Sequence, residues 1–339
     1  MYENIFSSFA NKFSYFAIIS YFSFFAIKIT FIFTNSYNIL GDYMVDYLYL
    51  KDSIYALKQN YNFLKIFSIG KSTLKNEIYC IKFGTGKKEV LYTAGIHANE
   101  WITSLLLIKF IRNLCNAFVS DSKIYEHSAK YLYENCSLYI IPMINPDGIN
   151  LVNNFYDKNS NVYISASNIA KNFPFIPFPS GWKANINGVD LNSQFPADWE
   201  TGKKIKSNFG FLSYSPRDFA GPSPLSEPES KSIYDFILIK NFSLCLCFHS
   251  QGEVIYWKYK DFLPKNSLEL AKEFAHVSGY ELEDTPYNSS FGGLRDWFIK
   301  TFNKPAFTIE VGKGTNPLPL SQFSKIYHDN LGILVSGLL

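Results

Sequence analysis

The chain has 339 residues, with 32 Lys and Arg against 29 Asp and Glu, 47% hydrophobic and 18% charged residues. That is enough for a large buried core, and it excludes a peptide, a stapled miniprotein or a disordered tail. A net charge of +3, dispersed along the chain, is no footprint for a polyanion, so nucleic acid is not an expected partner.

The first notable stretch is Phe13 to Thr34, almost wholly apolar and long enough to span a bilayer. It reads in two ways. As a membrane anchor or export segment it carries Lys28 in its interior and only Lys12 against Glu3 before it, a weak basic flank. Alternatively translation starts at Met44, and the residues before it are upstream sequence. The expected organisation is an apolar extension over residues 1–42 and one folded domain over 43–339. Localisation follows the same fork: membrane-anchored or exported in the first case, cytoplasmic in the second.

Apolar residues Met44, Tyr47, Leu48, Leu50, Ile54 and Leu57 share a helical face and predict a first helix from Tyr43 to Asn60. Strand-like runs follow at Leu64–Ile69, Glu77–Phe83 and Val90–Ile96, with Gly-containing turns between them. Glu100–Phe118 reads as a helix and Ser137–Ile144 as a buried strand. Residues 150–226, rich in Asn, Ser, Pro and Gly, show little periodicity, and so long a connection is usually functional. Pattern returns with a helix opened by Glu227-Pro-Glu-Ser, strands Leu244–His249 and Val254–Trp257, a helix Lys265–Val277, a strand Ala306–Glu310 and a last helix from Ser321. Alternating strands and helices predict an α/β domain, a mixed or parallel sheet with helices on both faces. The five cysteines are odd in number and scattered, unlike a disulfide framework. Cys245 and Cys247 share one face of a strand and read as buried thiols rather than redox or metal groups.

Open α/β sheets bind ligands beyond the carboxyl ends of their strands. There the chain places His97 and Glu100, three residues apart, then His249 and Glu310. Two imidazoles and one carboxylate form a three-ligand zinc set with a fourth position open, and Glu310 is left as a separate general base. His127, His276 and His328 have no ligand spacing and read as surface or capping residues. Gly84-Thr-Gly-Lys-Lys88 lacks phosphate-loop spacing, and Gly312-Lys-Gly-Thr-Asn-Pro317 reads as a turn.

Five strings carry these residues in order: Gly95-Ile-His-Ala-Asn-Glu-Trp-Ile-Thr103, Ile141-Pro-Met-Ile-Asn-Pro-Asp-Gly148, Gly188-Val-Asp-Leu-Asn-Ser-Gln-Phe-Pro196, Phe248-His-Ser-Gln-Gly252 and Phe307-Thr-Ile-Glu-Val-Gly312. Together they closely resemble the zinc carboxypeptidase family, across most of residues 43–339. The resemblance implies a single-domain zinc carboxypeptidase-like fold with one Zn2+ ion. It makes His97, Glu100 and His249 the metal ligands and Glu310 the catalytic glutamate. It also puts Lys183 where the family has an oxyanion-stabilising Arg, keeps Asn192 of the substrate-binding Asn-Arg pair, and makes Tyr287 the candidate mobile tyrosine. Arg295 falls near the residue that sets side-chain preference. Two departures matter. Ser193 stands where the family's carboxylate-clamping Arg lies, and Asn99 replaces an Arg before the ligand Glu; Ser cannot form a bidentate clamp.

His-Ala-Asn-Glu-Trp, Asp-Leu-Asn-Ser-Gln-Phe-Pro-Ala and Glu-Val-Gly-Lys-Gly-Thr-Asn-Pro resemble the bacterial γ-D-glutamyl-diamino acid peptidases. The implied partner is a peptidoglycan-derived peptide, cut at the γ-D-glutamyl bond to diaminopimelate or Lys. Three rivals remain: a general metallocarboxypeptidase clamping carboxylates with Lys183 or Arg217, a non-enzymatic wall-peptide binder on the same scaffold, and an amidase for small acylated amino acids.

Overall fold

The computed structural model describes residues 45–339; the apolar segment at Phe13–Thr34 lies outside the described residues. In chain order the elements are helix α1 (Tyr47–Asn60), strands β1 (Lys65–Lys71), β2 (Glu77–Phe83) and β3 (Lys88–Thr93), and helix α2 (Ile102–Val119). A two-stranded hairpin of β4 (Lys123–Ile124) and β5 (His127–Ser128) leads to α3 (Ala129–Asn135), β6 (Cys136–Ile141) and α4 (Pro146–Val152). Then come α5 (Asn161–Ala170), α6 (Trp199–Asn208), α7 (Pro228–Leu238), β7 (Leu244–His249), β8 (Val254–Tyr256) and α8 (Ser267–Ser278). The chain closes with β9 (Glu281–Glu283), α9 (Leu294–Phe302), β10 (Ala306–Glu310) and α10 (Phe323–Ser336).

Eight strands form one sheet in the order β1-β2-β6-β3-β7-β10-β8-β9. The centre, β6-β3-β7-β10, is parallel, and β1, β2 and β8 pair antiparallel. Alternation sends successive side chains to opposite faces. Val90 and Tyr92 of β3, with Leu244, Leu246 and Phe248 of β7, pack under α1, α2, α8 and α10. Leu91, Cys245 and Cys247 pack on the other face against α7 and α9. The fold is thus the expected mixed sheet with helices on both faces. All five cysteines are buried and unbridged. Helix α2 is long and apolar enough to cross a membrane, but most of it is buried in the core.

Two expectations need correction. The third strand ends at Thr93, not Ile96: Gly95 adopts φ +61° and turns the chain out of the sheet before His97. The 150–226 region is not structureless, since it holds α5, α6 and a 3-10 turn at Leu191–Ser193. Its helices escaped notice because they bury so little; in α5 only Ala166 and Ala170 are buried, and in α6 only Trp199 and Gly202.

Candidate active site

Once the chain leaves β3, His97 begins a 3-10 turn over Ala98–Glu100 in which the Glu100 N–H donates to the His97 carbonyl at 3.2 Å. Side chains three apart eclipse in a 3-10 turn. That places His97 and Glu100 over one point. Thr103 locks the turn by donating its hydroxyl to the Glu100 carbonyl at 2.7 Å. His249 ends β7, and Glu310 is its register partner at the end of parallel β10.

The three groups converge. His249 Nδ1 lies 3.1 Å from Glu100 Oε2, the His97 and His249 rings are 4.9 Å apart, and one ligand atom from each residue falls within 4.8 Å of the others. All three are buried. Nevertheless His97 Nδ1 has no hydrogen-bond partner among the described residues, and a buried polar atom left unpaired is costly. Two imidazoles and a carboxylate converging on one point are a donor set that fits zinc. Burial, with the Lys183 charge second, holds the His97 pKa far below the ordinary imidazole range, as a neutral ligand requires. Burial opposes ionisation of Glu100 as well, but Lys183, His97 and His249 together keep it a carboxylate.

Lys183 Nζ stands 3.2 Å from Glu100 Oε1. Its backbone is fixed beside the 3-10 turn, its carbonyl accepting from Ala98 N–H at 3.1 Å. Burial lowers its pKa, but the carboxylates of Glu100 and Asp190 outweigh that and keep the ammonium charged. Glu310 is pushed up to about 7, first by burial and then by the negative charge of Glu100, with His249 and Lys183 opposing. A carboxylate with a pKa near neutrality is suited to both taking and giving a proton.

His97, Lys183, His249 and Glu310 line one cleft. Asn192 and Arg295 line it as well. Asn192 Oδ1 accepts from Leu294 N–H at 3.0 Å, which fixes the side chain and leaves its amide donors without a partner among the described residues. Arg295 is 5% exposed, so it is no surface helix residue; its Nε donates to Asp296 Oδ1 at 2.9 Å and its Nη1 to Thr285 Oγ1 at 2.8 Å. Tyr287 is the exception among the expected site residues. It is exposed and edge-on to Phe291 at 5.2 Å, and Phe291 rather than Tyr287 lines the cleft. Ser193 lines the cleft too.

A model of the zinc carboxypeptidase family matches residues 50–332. The chain belongs to that family. A γ-D-glutamyl-L-diamino acid endopeptidase 1 of Lysinibacillus sphaericus is 41% identical over 88% of this chain and 73% of its own. An uncharacterized protein, YqgT, of Bacillus subtilis strain 168 is 40% identical over 80% of this chain and 71% of its own. Among solved structures, bovine thrombin-activatable fibrinolysis inhibitor in complex with tick carboxypeptidase inhibitor matches with a TM-score of 0.64 and 20% identity. That match covers 87% of this chain and 96% of the other, a likeness of fold. The family makes this chain a metallopeptidase, and zinc is the family's metal.

Sequence reasoning missed the groups that hold the site. Asp190 Oδ1 lies 3.6 Å from His97 Nδ1, and Asp296 pairs with Arg295. Asn316 joins them: its Nδ2 donates to the Ser250 carbonyl at 2.7 Å and its Oδ1 accepts from Ser250 Oγ at 2.8 Å. The Gly312–Pro317 turn thereby clamps the segment behind His249. Asp190 sits inside the quoted Gly-Val-Asp-Leu-Asn string and Asn316 inside Gly-Lys-Gly-Thr-Asn-Pro, so a signal for both existed.

Proposed function

We propose that the chain is a zinc peptidase that hydrolyses the γ-D-glutamyl bond to a diamino acid, diaminopimelate or Lys, in peptidoglycan peptides. One observation carries the choice of substrate. The cleft is lined by His97, Lys183, His249 and Glu310, and also by Ser193, the residue that the resemblance puts where the family has its carboxylate-clamping Arg. The relative named for this reaction, 41% identical, supports it.

In this reading one Zn2+ ion is held by His97, Glu100 and His249; when bound, zinc lowers the pKa of water to about 7 and polarises a carbonyl. Glu310, poised near neutrality, takes the proton of the attacking water on its carboxylate. The charged Lys183 ammonium faces the oxyanion that develops on the scissile carbonyl. Glu310 then hands its proton to the departing amine. Asn192 presents its free amide donors to the peptide, and Arg295, with donors beyond those bound to Asp296 and Thr285, reads a carboxylate on the diamino acid side chain. Tyr287 would reach the substrate only by movement of its loop, whose neighbours Ser289 and Phe291 already line the cleft. Residues 43–339 form the catalytic domain, and any membrane attachment belongs to residues 13–34.

The test is hydrolysis of L-Ala-γ-D-Glu-diaminopimelate by the full chain, with and without a chelator, beside an ordinary C-terminal dipeptide. Chelator-sensitive cleavage of the γ-D-glutamyl bond alone is expected. Cleavage of the dipeptide alone would overturn the reading in favour of a general metallocarboxypeptidase.

A further inference from the structure

Arg217 was not needed for any step above, yet it lines the same cleft. Its side chain is 43% exposed, and only its Nε is committed, donating to Asp218 Oδ2 at 2.7 Å. Neither Nη group has a polar partner among the described residues. The guanidinium therefore offers a planar, two-pronged donor edge to whatever fills the cleft. Asp218 cannot absorb that charge alone, because its other oxygen is taken by Lys206 Nζ at 2.6 Å.

The loop that carries Arg217 is rigid. The Pro216 carbonyl accepts from the N–H groups of Lys183 and Ala184 at 2.7 and 2.9 Å, and Ser215 N–H donates to the Gly188 carbonyl at 2.9 Å. Arg217 is thus fixed beside Lys183, and Lys183 is fixed beside the His97–Glu100 turn. Along the edge of the sheet the order is β3, β7, β10, β8. The β3 end leads to the His97–Glu100 turn, with Lys183 and Arg217 next to it. Then come His249 and Glu310, and last Tyr256 of β8, whose ring lies 5.9 Å from the Arg295 guanidinium carbon. The two arginines flank the reacting centre from opposite sides.

This division rests on the γ-D-glutamyl reading. The departing amine must leave on the side of the group that protonates it, Glu310, which is the Arg295 side. The acyl half lies on the Lys183 side. In a γ-D-glutamyl peptide that half carries a free α-carboxylate, separated from the scissile carbonyl by two methylenes and the α-carbon. We propose that Arg217 binds this α-carboxylate through its two free Nη groups, so that the enzyme selects D-glutamyl peptides over their α-amidated, D-isoglutaminyl counterparts. An amide in that place has no charge and turns its own N–H donors toward a donor.

The experiment measures kcat/KM of the zinc-loaded full chain on L-Ala-γ-D-Glu-Lys and L-Ala-γ-D-isoglutaminyl-Lys, for wild type, Arg217→Lys and Arg217→Gln. Expected is a wild-type preference for the free acid of about tenfold or more, the scale of one charge-assisted hydrogen-bond pair. The preference should shrink in Arg217→Lys and approach unity in Arg217→Gln. A loop role alone would lower both rates and leave their ratio unmoved, and that result overturns the proposal. So does a wild type that cleaves both peptides equally. Should Arg217→Gln not fold, the ratio for Arg217→Lys decides by the same criterion. Wild type that cleaves neither peptide but does cleave ordinary dipeptides overturns the γ-D-glutamyl reading itself, a failure visible before any variant is made.

Discussion

At the scale of single residues, the roles of Glu310 and Lys183 separate cleanly. Glu310→Gln removes the proton acceptor but no metal donor, so turnover should fall by about 10²–10⁴-fold while zinc stays near one ion per chain by atomic absorption. Lys183→Met removes a charge aimed at the oxyanion; kcat should fall by about 10²-fold or more with KM moving little, read from steady-state kinetics on the γ-D-glutamyl tripeptide. His97, Glu100, His249 and Glu310 were legible in the sequence because each follows or ends an apolar strand run. Their buried partners were not. Whether Asp296 faces solvent or Arg295 depends on a helix whose N-terminus is fixed by Asn192, 102 residues away in sequence, and no local pattern encodes such a meeting.

Among elements, strands were read best. The runs at Leu244–His249 and Ala306–Glu310 coincide with β7 and β10, since a strand buried on both faces writes a continuous apolar signal; Glu77–Phe83 coincides with β2, whose buried residues largely alternate with half-buried ones. Short helices that bury one or two small residues write almost none. The junction of the β1–β2 turn with α4 and α7 is polar instead: Asp147 accepts from Ser72 Oγ, Leu74 N–H and Asn76 Nδ2 at 2.7–2.9 Å. Glu229 Oε1 accepts from Thr73 N–H at 2.7 Å. Burial, with the Asp147 charge adding to it, pushes Glu229 from 4.5 up to about 7 against the help of Thr73. The folded pKa lies above the unfolded one, so the contribution of Glu229 to stability is complete below about pH 4.5 and is lost as pH rises through about 7. The loss is of order 3 kcal/mol. Urea unfolding at pH 6 and pH 8 should show wild type weakening over that interval and Glu229→Gln weakening less.

For the whole molecule, the described unit begins with its own anchorage. Asn150 Oδ1 accepts from Tyr47 N–H at 2.9 Å, and Asn153 Nδ2 donates to the Val45 carbonyl at 3.0 Å. Deleting residues 1–43 should therefore leave thermal stability and kcat/KM within about twofold of the full chain. A larger loss would show that the apolar extension supports the domain.

The pairing of His249 with Glu310 across two parallel strands has a kinetic consequence. Neither residue can take its place until β7 and β10 have found register, and His97 and Glu100 must arrive from β3, some 150 residues earlier in the chain. Parallel strands separated so far in sequence are slow to pair. Metal capture should then lag behind the gain of helical ellipticity when the apo chain is refolded in the presence of zinc, with a chromophoric chelator reporting the lag. Loaded metal becomes a count of finished sheets rather than of collapsed chains.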